Sequence, residues 1–319
     1  MEYRSLGSSG IKVSVIGIGA NRFGSEKMPQ KEVNRVIDAA LDLGINFIDS
    51  ADVYAAGRSE ETIGAALKGR WDKFIVATKF GFPASGGDSQ LPNQKGASRL
   101  HIMNAVEASL CRLQRDHIDL YYVHTWDKDT PIEETLRALD NLVQMGKVRY
   151  IGASNFASWQ LARANLLAEV HNWTAFICIQ NHYNMFERAD EREMLPYCAA
   201  HNVGYIPYFP LASGFLTGKY KRGKPFPKGS RAEDWKKAGR EVPYDSDSHY
   251  DRIEAMESWA KARGHGLNEL AQAWLLAKPQ IPSVISGATK MEHILSNVKA
   301  AEWKLTEDEV KEVDAILRE

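Results

Sequence analysis

Only three cysteines occur in 319 residues, Cys111, Cys178 and Cys198, and no two of them form a CxxC pair. That scarcity excludes a disulfide framework and a dithiol redox motif, and it predicts buried, reduced thiols in a cytoplasmic protein. An excess of charge of one sign is also lacking. The 40 Lys+Arg and 41 Asp+Glu leave a formal charge of −1, so neither nucleic acid nor a membrane surface is expected as a partner. No apolar run approaches the roughly 18 residues that cross a bilayer, and the first residues contain no apolar leader core. No HExxH or other close ligand cluster occurs, so no metal is expected. What is present is 44% hydrophobic and 10% aromatic, the composition of an ordinary globular chain. At about 100–200 residues per domain, one large domain over residues 1–319 accommodates it.

A pattern recurs along the chain: a short β-branched run, a polar loop, then apolar residues at helical spacing. Residues around Gly7, Ser8, Ser9 and Gly10 read as a hairpin before this rhythm starts. Strands are expected at Val13–Gly17, Asn46–Ile48, Phe74–Ala77, Leu120–Val123, Val148–Gly152, Ala175–Ile179, Val203–Ile206 and Ser283–Ile285. Helices are expected around Val33–Leu41, Ile102–Leu113, Ile132–Val143, 158–170, 190–201 and Glu307–Leu317, with another beginning near Met291. Eight strands alternating with helices predict a parallel sheet, closed as a (β/α)₈ barrel or open and doubly wound. An open sheet that binds a dinucleotide should carry GxGxxG after its first strand. Gly17-Ile18-Gly19-Ala20-Asn21-Arg22 lacks the third glycine, which favours the barrel. Thr217-Gly218-Lys219 imitates half of a phosphate-binding loop, but Ser213 stands where its first glycine belongs. Residues 83–98 and 219–249, rich in Gly, Pro, Ser and charge, read either as loops over the strand ends or as disordered insertions.

Polar residues gather at the strand ends. Asp49 and Tyr54 follow the second strand, Lys79 ends the third and His124 the fourth. Ser154 and Asn155 end the fifth, Gln180 and Asn181 the sixth, Tyr208 the seventh, and Ser286–Thr289 the eighth. In a barrel these ends converge on one mouth, where such enzymes do their chemistry. A tyrosine hydroxyl is a poor acid near its ordinary pKa of ~10, and a nearby lysine ammonium should lower that value. An aspartate would hold the lysine charged, and a histidine across the pocket would orient a substrate oxygen. Such a set donates a proton to an oxygen that gains negative charge in the transition state.

The chain resembles the aldo-keto reductases over nearly its full length. The resemblance rests on NFIDSADVY, IVATKFG, DLYYVH, GKVRYIGASNF, IQNHYN, PYFPLASGFLTGKY and VISGATKMEHILSNV. It implies a (β/α)₈ barrel that reduces aldehydes or ketones with NADPH, NADH being a weaker alternative. It implies that Asp49, Tyr54, Lys79 and His124 form the catalytic tetrad. It further implies that Ser154, Asn155 and Gln180 hold the nicotinamide carboxamide while Tyr208 stacks on the ring. By the same resemblance Leu211, Ala212, Gly214, Leu216 and Lys219 border the pyrophosphate. Gly287, Ala288, Thr289 and Lys290, with His293 and Asn297, would surround the 2′-phosphate and adenine. Phe209, His293 and Ser296 depart from the usual residues, which bears on cofactor affinity. Phe23, Phe82, Trp126 and Trp235 are candidates to line the substrate cavity or to pack beneath the loops.

Two other functions fit the residues. Lys79 could form a Schiff base, as in class I aldolases, although this leaves Tyr208 and Ser154-Asn155 without a role. A regulatory module is the other, since channel β-subunits resemble this branch and retain the tetrad. The lack of a segment before the barrel points away from a channel partner. The substrate, a small carbonyl compound or alcohol, and the oligomeric state are not specified by these motifs.

Overall fold

The computed structural model describes residues 1–83, 91–288 and 291–318. Strands β1 (Tyr3–Ser5) and β2 (Lys12–Ser14) pair antiparallel as the expected hairpin. Eight strands follow: β3 (Ile16–Gly19), β4 (Phe47–Asp49), β5 (Ile75–Phe80), β6 (Ile118–Val123), β7 (Val148–Ser154), β8 (Cys178–His182), β9 (Gly204–Tyr208) and β10 (Val284–Gly287). They run parallel in the order β10-β3-β4-β5-β6-β7-β8-β9, a nearly closed barrel with helices around it. The expectation of a closed architecture, rather than an open doubly wound sheet, holds.

The helices are α1 (Gln30–Asp42), α2 (Arg58–Ala66), α3 (Arg99–Leu113), α4 (Ile132–Gln144), α5 (Ser158–His171), α6 (Met194–His201), α7 (Arg231–Lys237), α8 (Asp247–Lys261), α9 (Leu267–Leu276), α10 (Met291–Glu302) and α11 (Glu307–Arg318). Gly44, at φ +74°, closes α1 in the left-handed conformation that glycine adopts without a Cβ clash.

Strand alternation divides the core into two layers. Phe47, Ala77, Leu120, Tyr122, Cys178, Ile206 and Ile285 point into the barrel, and Leu6 and Val13 of the hairpin plug its bottom. Ile48, Val76, Phe80, Tyr121 and Val123 point outward, into the larger layer between strands and helices. Two glycines admit the larger inward side chains. A Cβ at Gly152 would lie 2.5 Å from the Tyr122 ring, and one at Gly17 would lie 2.5 Å from Ile285.

Three expectations need correction. Val13 and Ser14 belong to the hairpin, pairing with Arg4 and Tyr3, and the first barrel strand starts at Ile16. The sixth barrel strand starts at Cys178 rather than Ala175. The amides of Thr174 and Phe176 are bound instead by the side chains of Asp140 (2.9 Å) and Asn165 (3.0 Å). Cys111 is exposed, whereas Cys178 and Cys198 are buried as expected.

Residues 219–249 include α7 and the first turn of α8. Tyr220 is fully buried, and Tyr244 donates to Glu187 at 3.1 Å while packing on Phe186. This segment is therefore folded against the loop after β8, not a disordered insertion. Of residues 83–98, 84–90 lie outside the described residues; beyond them Gly96 and Ala97 are tied to Gly81 and Asp127. Among the described residues no helix is long and apolar enough to cross a membrane.

Candidate active site

Asp49 ends β4 and Lys79 lies near the end of β5, both facing into the barrel. Lys79 is wholly buried, and its Nζ donates to Asp49 Oδ2 (2.7 Å), to the Ser50 carbonyl (2.7 Å) and towards the Tyr54 hydroxyl (3.4 Å). Gln180, from β8 across the barrel, donates to the other Asp49 oxygen at 2.8 Å. Burial opposes the charge on Lys79, but Asp49 and Tyr54 outweigh it and hold its pKa above the ordinary value. The group is a fixed ammonium at neutral pH.

Tyr54 opens a tight turn, Tyr54–Gly57, that leads into α2. Ala55, Ala56 and Gly57 all adopt positive φ, of 47°, 65° and 81°. Left-handed alanines cost roughly 1–2 kcal/mol each, so the turn that aims Tyr54 at Lys79 stores strain. The Tyr54 pKa is raised, because desolvation exceeds the opposing pull of Lys79. The lysine acts in the expected direction, but the net acidification expected from sequence is not the outcome.

His124 follows β6. Its ring meets Tyr54 edge-on at 6.0 Å between centroids and Phe82 at 4.7 Å. Burial and the nearby Lys79 push its pKa down to about 3, so the imidazole is neutral. Its buried Nδ1 has no hydrogen-bond partner.

Ser154, Asn155, Gln180 and Tyr208 reach the same mouth. Asn155, at φ +56°, donates from Nδ2 to the His124 carbonyl (2.8 Å) and to Ser154 Oγ (3.1 Å), and Tyr208 donates to its Oδ1 (2.9 Å). One face of Tyr208 is stacked on His182, with rings 5.2 Å apart and nearly parallel. After β9, Phe209, Ala212, Ser213 and Gly214 all have positive φ, which curls the backbone into a compact turn. Ala212 and Leu216 are buried in the core, Leu211 is half-buried, and the Lys219 ammonium folds over Gly214. Gly287, the last residue of β10, and His293 on α10 are exposed. Asn297 is buried and accepts from Gln272 at 3.0 Å. Thr289 and Lys290 lie outside the described residues.

The weaker candidates separate. Phe23 is 1% exposed and lies in the strand–helix core, so it packs rather than lining an open cavity. Phe82 is 39% exposed beside His124. Trp126 packs on Phe156 and Trp159, and Trp235 is half-buried on α7. Arg22 and Arg231 were missed. Arg231 lies 4.9 Å over the Phe209 ring, and burial together with the Arg22 charge depresses its pKa. Among the described residues neither guanidinium has a carboxylate partner. No sequence signal marks them, because one lies after β3 and the other more than 200 residues away. Arg22 also lines an open cavity of ≈ 440 Å³ with Asn21, Ala55 and Arg58. Among the described residues no group of three or more His, Cys, Asp or Glu could hold a metal ion.

A parallel barrel with this polar cluster at its strand ends defines a class, the β/α-barrel oxidoreductases. Residues 15–318 match the family model of the aldo/keto reductase family, and the chain belongs to that family. It is 37% identical to a probable voltage-gated potassium channel subunit beta of Arabidopsis thaliana, over 95% of this chain and 92% of the relative. It is 34% identical to the versiconal hemiacetal acetate reductase of Aspergillus parasiticus, over 98% and 95%. A putative aryl-alcohol dehydrogenase of Schizosaccharomyces pombe is 35% identical, over 97% and 93%.

Proposed function

We propose that the protein reduces an aldehyde or ketone to the alcohol with NADPH, reversibly, and that Tyr54 is the proton donor. The observation that carries this reading is the buried Lys79 ammonium placed between Asp49 (2.7 Å) and the Tyr54 hydroxyl (3.4 Å) at the barrel mouth. Held at that mouth by Ser154, Asn155, Gln180 and Tyr208, a reduced nicotinamide would supply the hydride.

The chain's own residues do the rest. Tyr54 remains protonated at neutral pH and donates as the carbonyl oxygen becomes an alkoxide. Lys79 stabilises the phenolate left behind, and Asp49 keeps Lys79 in place. A neutral His124 can hydrogen-bond the same oxygen without competing for its proton. Ser154, Asn155 and Gln180 offer amide and hydroxyl groups to a carboxamide, and Tyr208 keeps one face beyond its contact with His182. The unpaired guanidiniums of Arg22 and Arg231, with Lys219, suit a pyrophosphate or phosphate, whose charge would complete theirs. The Schiff-base alternative needs a neutral lysine, which the charged, fully bonded Lys79 is not.

A panel of aldehydes and ketones followed at the nicotinamide absorbance, with NADPH and NADH in parallel, tests this. Turnover that is faster with NADPH is the expected result. Tight cofactor binding with no turnover across the panel would favour a nucleotide-binding regulatory module, the second reading. That reading draws support from the relatives named as channel subunits.

A further inference from the structure

Three residues beyond Asp49 the chain buries a second carboxyl, Asp52, which is 1% exposed. Its backbone amide donates to the Lys79 carbonyl at 3.1 Å, which ties it to the strand that carries the lysine. Neither of its carboxyl oxygens has a hydrogen-bond partner of ordinary geometry, and the nearby Tyr121 hydroxyl, also fully buried, has none either. Between the barrel wall and helices α2 and α3 lies a second acid, Glu60, likewise buried but fully satisfied. It accepts from Thr78 Oγ1 at 2.5 Å and from Arg112 Nε at 2.6 Å. The Arg112 stem packs against Gly57, where a Cβ would stand 3.0 Å from its Cδ, so the guanidinium is held in place. Glu60 thus takes the local cation, and Asp52 is left without an ion-pair partner.

Resting on the reductase reading above, we propose that Asp52 is a positioning residue: its buried carboxyl gains and loses a proton behind the barrel wall and thereby sets the field at Lys79 and Tyr54 during proton donation. The groups facing it are Glu60 from α2, Arg112 from α3, Lys79 from β5, Tyr121 from β6 and Tyr54 from the adjoining turn. Desolvation and then Glu60 push its pKa up to about 7, against weaker opposition from Arg112, the Val53 amide and Lys79. Below that pH the neutral acid leaves Lys79 to serve Asp49 and Tyr54 alone. Above it a new negative charge reaches Tyr54 and raises the phenol pKa further. Tyr54 then becomes a weaker acid, and reduction slows as pH rises through neutrality. His124 contributes no such limb, being neutral throughout this range.

Carbonyl kcat/KM measured from pH 5 to 9 at saturating cofactor tests the role, with wild type, Asp52→Asn, Glu60→Gln and His124→Gln compared. Wild type should fall roughly three- to tenfold across a limb near pH 7. Asp52→Asn, a neutral isostere, should hold the low-pH rate throughout. Glu60→Gln keeps an acceptor for Thr78 but removes the charge that opposes ionisation, so its limb should move to lower pH. The limb should survive in the slower His124→Gln enzyme. Infrared difference spectra, which require no turnover, should show a protonated-carboxyl band near pH 5 that titrates with the same midpoint and is missing in Asp52→Asn. If Asp52→Asn does not fold, the Glu60→Gln shift and the wild-type infrared titration carry the test. Turnover with an unchanged limb in Asp52→Asn or Glu60→Gln, or no titrating band, overturns the role of Asp52 alone. No turnover of any carbonyl compound overturns the reductase reading and this role with it.

Discussion

Asp49 and Asp52 stand on one short stretch of chain, both nearly inaccessible to solvent, yet their surroundings differ in kind. Asp49 faces into the barrel, where Lys79 and Gln180 occupy its two oxygens at 2.7 and 2.8 Å. Asp52 lies behind the wall, among outward-facing residues, with no side-chain or ion-pair partner and only the Val53 amide beside its carboxyl. Burial by itself does not define a carboxylate: one is held in an ion pair, whereas for the other no ion pair offsets desolvation, which pushes its pKa up to about 7.

Breaking the inner side should have the largest effect. Tyr54→Phe keeps the ring but removes the proton, and carbonyl reduction should fall by ~10²–10⁴-fold with cofactor binding nearly unchanged. Activity within about threefold of wild type would reject Tyr54 as the acid. Lys79→Met should be nearly as damaging and should also destabilise the fold by about 3–5 kcal/mol, because it leaves Asp49 buried without its counter-charge. Urea denaturation beside steady-state kinetics separates the two losses.

The outer carboxyl predicts the opposite sign. Asp52 titrates near 3.8 in an ordinary setting and at about 7 here. The folded state therefore keeps a proton that the unfolded chain has released. Its contribution to stability is fully present at acid pH, falls as pH rises from about 4 to about 7, and stays low above that, a loss of up to about 4 kcal/mol. Asp52→Asn should consequently raise Tm over wild type more at pH 8 than at pH 5. An equal change at both values would mean that Asp52 does not titrate in this range.

The smallest expected effect sharpens the contrast from the cofactor side. Lys290, outside the described residues, is expected to read the 2′-phosphate that NADPH has and NADH lacks. Lys290→Ala should weaken NADPH binding by ~1.5–3 kcal/mol and leave NADH almost unchanged. Fluorescence quenching titrations with both cofactors measure this, and equal weakening would remove Lys290 from that role.

The amino-acid sequence by itself determined the alternation of eight strands with helices, because apolar periodicity is a local property that one stretch of chain carries alone. It also determined which polar residues stand at strand ends, and hence Asp49, Lys79, His124 and Gln180 as one group. Helix α9 escaped that reading: eight of its ten residues are buried, so no polar face marks it. Folding together decided the rest. The start of β8 at Cys178 depends on side chains of α4 and α5 that capture the preceding amides. Phe23 was sent to the core, and Arg22 was brought close to Arg231. The net direction of the Tyr54 pKa, and the isolation of Asp52 from the Glu60–Arg112 pair, depend on desolvation and on distances between elements remote in sequence. Those quantities exist only once the strands have closed and the helices have packed against them.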